Sequence, residues 1–210
     1  IYYGYPKLHP KEKCFEQLDS TRGLVDSFEE YKGMDINVTE FNTSYIPNAP
    51  VHDTNLNAAY IALMLSTFGD NHKSYSYWTF GDIFEENGVP FTPFHGGFGL
   101  VANGLIPKPT FWTFAFYKNL TRGYEKCLLR TPECLVTKSR DSKGQEIYKG
   151  IAWNVDTDMS GKELKLELEL PLSGKEDENV LITQLVDEDV CNPLKVWHDL
   201  GEHANPSEQE

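Results

Sequence analysis

From Asn55 to Phe68 the sequence reads NLNAAYIALMLSTF, apolar on nearly every side of a helix. A helix of that kind sits inside a protein and not on its surface. Two β-prone runs bracket it, Ile36–Asn42 before and SYSYWTF (Ser74–Phe80) after. Strand, buried helix and strand in that order predict a parallel pair joined by a helical crossover. Upstream, Phe15, Leu18, Val25 and Phe28 among charged residues predict an amphipathic helix over 12–32, with Gly33 suited to its end. Downstream, Gly81 to Asn103 is rich in Gly, Phe and Pro and predicts a long functional loop. Pro107 and Pro109 then introduce an aromatic helix, TFWTFAFYKNL. The first 122 residues therefore read as α/β.

After Thr121 the pattern changes. CLVTKSR, YKGIAWNV, KELKLELEL and NVLITQLV are strand-like runs separated by Gly, Asp and Ser. Leu164, Leu166, Leu168 and Leu170 alternate with polar residues, which predicts a strand with one buried and one wet face. Residues 123–210 thus read as an antiparallel β-sandwich ending in a solvated tail.

The formal charge of -13 argues against sequence-independent phosphate binding, which needs a basic surface. No run approaches the ~20 apolar residues of a membrane span. The first residues lack the charged start and apolar core of a signal peptide. Cys14, Cys127, Cys134 and Cys191 show no metal-ligand spacing. Cys127 and Cys134 could bridge a hairpin, but four free thiols in a cytosolic protein is the preferred reading. Asn37, Asn42 and Asn119 head N-x-S/T sequons, and two lie in or beside the first strand, where a glycan would obstruct packing. The expected location is a bacterial cytoplasm, with secretion as the alternative.

Glu40 is the sharpest chemical candidate. It stands near the C-terminal end of a predicted buried strand, where a charge is costly unless compensated and where barrel enzymes place catalytic groups. Strict alternation puts Glu40 and Asn42 on one face, with Thr39 and Phe41 on the other. The competing reading is a structural or solvated Glu. Trp78, Glu85 and Glu86 form a second group in YWTFGDIFEENG. A Trp face stacks on a sugar ring and carboxylates accept hydrogen bonds from vicinal hydroxyls, although a core Trp beside a solvated Glu pair has the same composition. His95 precedes Gly96 and Gly97 in FHGGFGL, which is not a dinucleotide fingerprint. His95 and His52 read as core histidines more readily than as catalysts, and Asp53 or Thr54 reads as the cap of the following helix.

In order along the chain, TEFNTSY, PVHDT, NAAYIA, SYWTFGDIFEENGVP, FHGGFGL and IPKPTF resemble glycoside hydrolase family 39, most of all its bacterial β-xylosidases. The similarity continues more weakly through IAWNV and VWHDLG. It implies the C-terminal part of a (β/α)8 TIM barrel over 1–122, followed by an accessory β-sandwich over 123–210. It implies retaining hydrolysis of terminal β-xylosides without metal or organic cofactor. Glu40 matches the family's nucleophile, Trp78, Glu85 and Glu86 match sugar-binding positions, and Tyr45 and His95 join them.

Gly81 departs from the Ser common in the family. The larger departure is the absence of the Asn-Glu-Pro-type motif that carries the acid/base, as though the chain began after the sixth barrel strand. A full barrel takes about 250 residues. The resemblance therefore implies one part of a longer enzyme, whose N-terminal barrel segment is a companion, or a self-associating piece. Xylose or a xylo-oligosaccharide is the expected ligand, and neither nucleic acid nor membrane is an expected partner. The alternatives are a catalytically silent sugar-binding piece, or a sister activity such as that of α-L-iduronidase.

Overall fold

The computed structural model describes residues 11–67, 71–83, 88, 90–157, 160–172, 179–205 and 207. It contains helices α1 (Lys11–Asp26), α2 (Asn55–Thr67), α3 (Pro109–Thr121) and α4 (Pro193–Asp199). A 3-10 turn covers Pro50–Asp53. The strands are β1 (Asn37–Phe41), β2 (Ser74–Tyr77), β3 (Val101–Ala102), β4 (Ile106–Pro107), β5 (Tyr124–Arg130), β6 (Cys134–Arg140) and β7 (Glu146–Ala152).

β1 and β2 pair in parallel with α2 as the crossover, as the sequence predicts. The all-round apolarity of α2 has a clear cause, because the helix serves two clusters. Tyr60, Ile61 and Met64 pack with Leu18 of α1 and with Val38 and Phe41 of β1. Ala62 and Leu63 pack with Leu120 of α3 and with Ile151 and Trp153 at the end of β7. Hydroxyls on one side of α3 also bind α2: Thr113 Oγ1 donates to Ala58 O at 3.0 Å and Tyr117 OH to Ala62 O at 2.6 Å. The two halves of the chain therefore share a core.

Helix α1 ends at Asp26, short of the predicted 32. The Asp26 carboxylate pairs with Arg22 at 2.5 Å and accepts from Gly33 N at 2.9 Å, so residues 27–33 close as turns. Gly33 ends those turns at φ 74°. Thr54 caps α2, its Oγ1 accepting from Asn57 N at 3.4 Å.

The second half differs most from expectation. Strands β5, β6 and β7 form one antiparallel meander, and no second sheet faces it among the described residues, so a sandwich is not formed there. Residues 162–170 join no ladder, although Asn154 Nδ2 donates to Lys162 O at 2.7 Å and Tyr148 OH to Pro171 O at 3.1 Å. Leu164, Leu166, Leu168 and Leu170 remain 37–46% exposed. Alternation marks a face able to be buried, but it needs a partner surface, and this sheet supplies none. The described residues thus make a partial, mixed helix and sheet fold with no closed barrel.

Cys127, Cys134 and Cys191 are free thiols. Cys127 lies opposite Thr137 and Cys134 opposite Ala152, on different rungs of the meander. Asn42 is wholly buried, so its sequon is closed to a glycan in the folded chain. No helix among the described residues is long and apolar enough to cross a membrane.

Candidate active site

The end of β1 carries a bulge. Val38 faces Tyr75 and Phe41 faces Tyr77, so three steps along β1 match two along β2. Thr39 and Glu40 are consequently both exposed, whereas Phe41 and Asn42 are both wholly buried. This corrects the alternation that grouped Glu40 with Asn42. Phe41 packs edge-on against Tyr77, with ring centroids 5.6 Å apart, and so anchors the strand end from the core side. Glu40 stands on the solvent side and bears little of the desolvation cost that a buried strand end would impose.

Trp78 follows the last rung of β2 and is half-buried. Its amide donates to Phe41 O at 3.0 Å. The Asn42 amide donates to Trp78 O at 2.5 Å and to Phe98 O at 3.2 Å. The Trp78–Thr79 peptide is cis. Beyond it, Thr79 N donates to Phe98 O at 3.1 Å and Leu100 N to Thr79 O at 3.0 Å. The strand ends bearing Glu40 and Trp78 are thereby tied to each other and to the glycine-rich loop.

That loop rests on a buried charge cluster. Lys108 Nζ lies 2.5 Å from Asp53 Oδ1 and 2.6 Å from Asp82 Oδ2, and donates to Gly97 O at 2.9 Å. The second oxygens of the two carboxylates accept from Gly96 N and Gly99 N, each at 2.6 Å. His52 Nδ1 donates to Gly96 O at 2.8 Å. Burial lowers the His52 pKa to about 4, the Gly96 carbonyl opposing and the nearby Lys108 charge adding to the shift. Burial raises the Asp82 carboxyl, with Lys108 opposing, and burial likewise raises the Tyr77 phenol. The backbone approaches so closely that a Cβ at Gly97 would lie 2.5 Å from Asp82 Oδ1 and 2.7 Å from His95 Nε2.

The structure therefore places Glu40, Trp78 and His95 on elements bound into one network. His95 is half-buried, its Nδ1 enclosed with no partner among the described residues. Tyr45 is 66% exposed. Glu85 and Glu86 lie outside the described residues. Asp53 serves the loop instead of capping α2. Lys108 and Asp82 were missed by sequence reasoning; the signal available was a lone cation between two prolines in an apolar, glycine-rich stretch. A cleft of about 480 Å³ lies between α2, α3 and the β5–β6 hairpin, and no candidate residue lines it. Among the described residues no three His, Cys, Asp or Glu side chains gather as metal ligands. The arrangement sets an exposed carboxylate at the end of β1 and a half-buried indole at the end of its parallel neighbour, with a buried polar cluster beneath the adjoining loop.

Comparison with known proteins bears on this arrangement. The family model described as glycosyl hydrolases family 39 matches residues 2–210. A β-xylosidase of Geobacillus stearothermophilus is 40% identical over 208 residues, 99% of this chain and 40% of that protein. A β-xylosidase of Caldicellulosiruptor saccharolyticus is 32% identical over 183 residues, 85% of this chain and 36% of that protein. The chain thus spans well under half the length of these relatives. In fold it is similar to the GH39 enzyme of Xanthomonas axonopodis pv. citri, with a TM-score of 0.72 at 21% identity over 97% of this chain and 41% of that one. A GH39 β-xylosidase of Caulobacter crescentus is 32% identical over 60% of this chain and 28% of that one, with a TM-score of 0.54.

Proposed function

The chain belongs to glycosyl hydrolase family 39, and from that premise we propose that it is the nucleophile-bearing portion of a retaining β-xylosidase. The observation that carries this reading is the exposed Glu40 on a bulge at the end of β1, beside Trp78 at the end of its parallel neighbour. Catalytic groups of (β/α)8 enzymes stand at such strand ends, and bulges beside active sites re-aim side chains. In the complete enzyme β1 and β2 are two strands of that barrel, and residues 123–210 belong to the accessory sandwich.

A Glu40 carboxylate oxygen attacks the anomeric carbon of a terminal β-xyloside. The bond to the leaving oxygen breaks, and that oxygen takes a proton from a second carboxyl about 5–5.5 Å from the nucleophile. Water then cleaves the glycosyl ester, giving its proton to the same second carboxyl, with configuration retained. Trp78 and His95 form part of the sugar subsite, to which Tyr45, Glu85 and Glu86 also contribute. The acid/base comes from outside these 210 residues, so this chain alone is inactive or severely impaired toward ordinary xylosides.

The test is intact mass and peptide mapping after incubation with dinitrophenyl 2-deoxy-2-fluoro-β-xyloside, whose leaving group departs without protonation. An adduct on Glu40 that disappears in Glu40→Gln is expected. An adduct on another residue, or none even when the remaining part of the enzyme is supplied, sinks the reading. Reversible xylose binding without an adduct would instead identify a catalytically silent sugar-binding protein.

A further inference from the structure

From Gly96 onward the glycine loop is fixed by the buried charges of Asp53, Lys108 and Asp82. Before Gly96 its anchors are of another kind. Asn103 Nδ2 donates to Pro90 O at 3.2 Å and to Thr92 O at 3.1 Å, and Thr92 Oγ1 donates to Phe94 O at 3.1 Å. Phe94 is only 5% exposed. The ring that packs against it is Trp197 of α4, from the far end of the chain, with centroids 5.6 Å apart at 55°. Trp197 is itself braced, its indole N–H donating to His203 O at 2.8 Å and its carbonyl accepting from Glu202 N at 2.9 Å. The next residue after Phe94 is His95, whose ring Nδ1 is buried with no hydrogen-bond partner among the described residues. Its position follows from the backbone on either side: the charge cluster after it, and Phe94 on Trp197 before it.

We propose that Trp197 is a positioning residue of the sugar subsite, acting through Phe94 to set His95 without touching the sugar. This inference rests on reading the Glu40 site as a sugar site. It gives the C-terminal VWHDLG segment a role in the chemistry of the first half. It also predicts an effect on sugar affinity and not on the attack by Glu40. That strand is held from the core by Phe41 and, through Asn42, by Trp78 O and Phe98 O, the latter beyond Gly96 and not on the Phe94 side of the loop.

The experiment is the concentration dependence of Glu40 labelling by dinitrophenyl 2-deoxy-2-fluoro-β-xyloside in the 210-residue chain, combined with amide hydrogen exchange. Trp197→Ala should raise the half-saturating probe concentration about tenfold and leave the limiting rate within about threefold. Trp197→Phe, which keeps a ring on Phe94, should restore most of the affinity. Trp197→Ala combined with His95→Ala should be no weaker than His95→Ala alone, because both act through one group. Additive losses, a fall in limiting rate at unchanged affinity, or no change overturn the proposal while the Glu40 reading stands. If the unsubstituted chain takes no label by itself, the Glu40 reading is judged with the remaining part of the enzyme supplied, and exchange alone decides the role of Trp197. Trp197→Ala should then speed exchange at the His95 and Gly96 amides about tenfold while Ile61 in α2 is unchanged. Equal exchange in both proteins overturns the proposal.

Discussion

The side-chain amide of Asn42 donates to the main-chain carbonyl of Trp78 at 2.5 Å, so the residue two beyond Glu40 fixes the residue that presents the aromatic face. Asn42 is wholly buried, and Trp78 O is paired through it. Removing a buried partner costs about 1–3 kcal/mol because the group left behind is desolvated and unpaired. Asn42→Ala should lose that much in urea unfolding. Asn42→Asp should lose more, since an ionised carboxylate faces two carbonyls to which it cannot donate. Glu40→Gln, at an exposed position, should change stability by less than about 0.5 kcal/mol. A similar loss in Glu40→Gln would show that the carboxylate is structural.

Lys108 is wholly buried between two carboxylates, and each oxygen of the cluster has a proton donor facing it. Lys108→Met leaves two buried carboxylates facing one another and should cost about 3–5 kcal/mol. The combined Asp53→Asn, Asp82→Asn, Lys108→Met protein carries no buried charge and should recover most of that loss. Urea midpoints at constant m-value provide the comparison. A triple variant as unstable as Lys108→Met would mean that packing at position 108, and not charge, dominates.

How far the sequence could be read depended on whether the physics was local. The β1–α2–β2 unit was legible because α2 is apolar on every side, and only a crossover enclosed by two clusters satisfies that pattern. The exposure of Glu40 was not legible, because alternation assumes an unbroken ladder and the bulge between Val38 and Phe41 is set by pairing with Tyr75 and Tyr77. The Lys108 cluster joins residues 53, 82, 97 and 108, and no short window of sequence reports a contact of that range. Leu164 to Leu170 carry a true strand pattern, yet a pattern states which face can be buried and not what buries it. Glu40, Trp78 and His95 are grouped as a site through the family resemblance alone; spacing left each with a structural alternative.

Two glycines separate steric need from propensity. Gly96 has φ 76°, and a Cβ there would lie 2.5 Å from the Ala49 carbonyl carbon, so Gly96→Ala must displace backbone. Gly23 lies in α1 with nothing within 4 Å of the same position. Gly23→Ala should therefore stabilise by about 0.5–1 kcal/mol through helix propensity. Gly96→Ala should destabilise by at least about 2 kcal/mol and loosen the His95 loop. Thermal unfolding of the pair distinguishes these, and a stabilising Gly96→Ala would contradict the close approach at Ala49.

His52 should make the fold acid-sensitive. It is wholly buried, donates to Gly96 O from Nδ1, and has a pKa lowered to about 4 from 6.5, chiefly by burial. A group whose folded pKa is depressed binds fewer protons in the folded than in the unfolded state across that interval. Its contribution is therefore complete above about pH 6.5 and is lost as pH falls toward about 4. The difference of roughly 2.5 units corresponds to about 3 kcal/mol. Asp82 acts in the opposite sense, because its raised carboxyl takes up a proton more readily in the folded state. Comparison with a non-titrating variant isolates the His52 part. His52→Asn keeps a donor for Gly96 O and cannot charge, so its urea stability should fall less than that of the unsubstituted chain between pH 6.5 and 4. Parallel pH profiles would show that His52 titrates normally and that the floor beneath the glycine loop admits a charged imidazole.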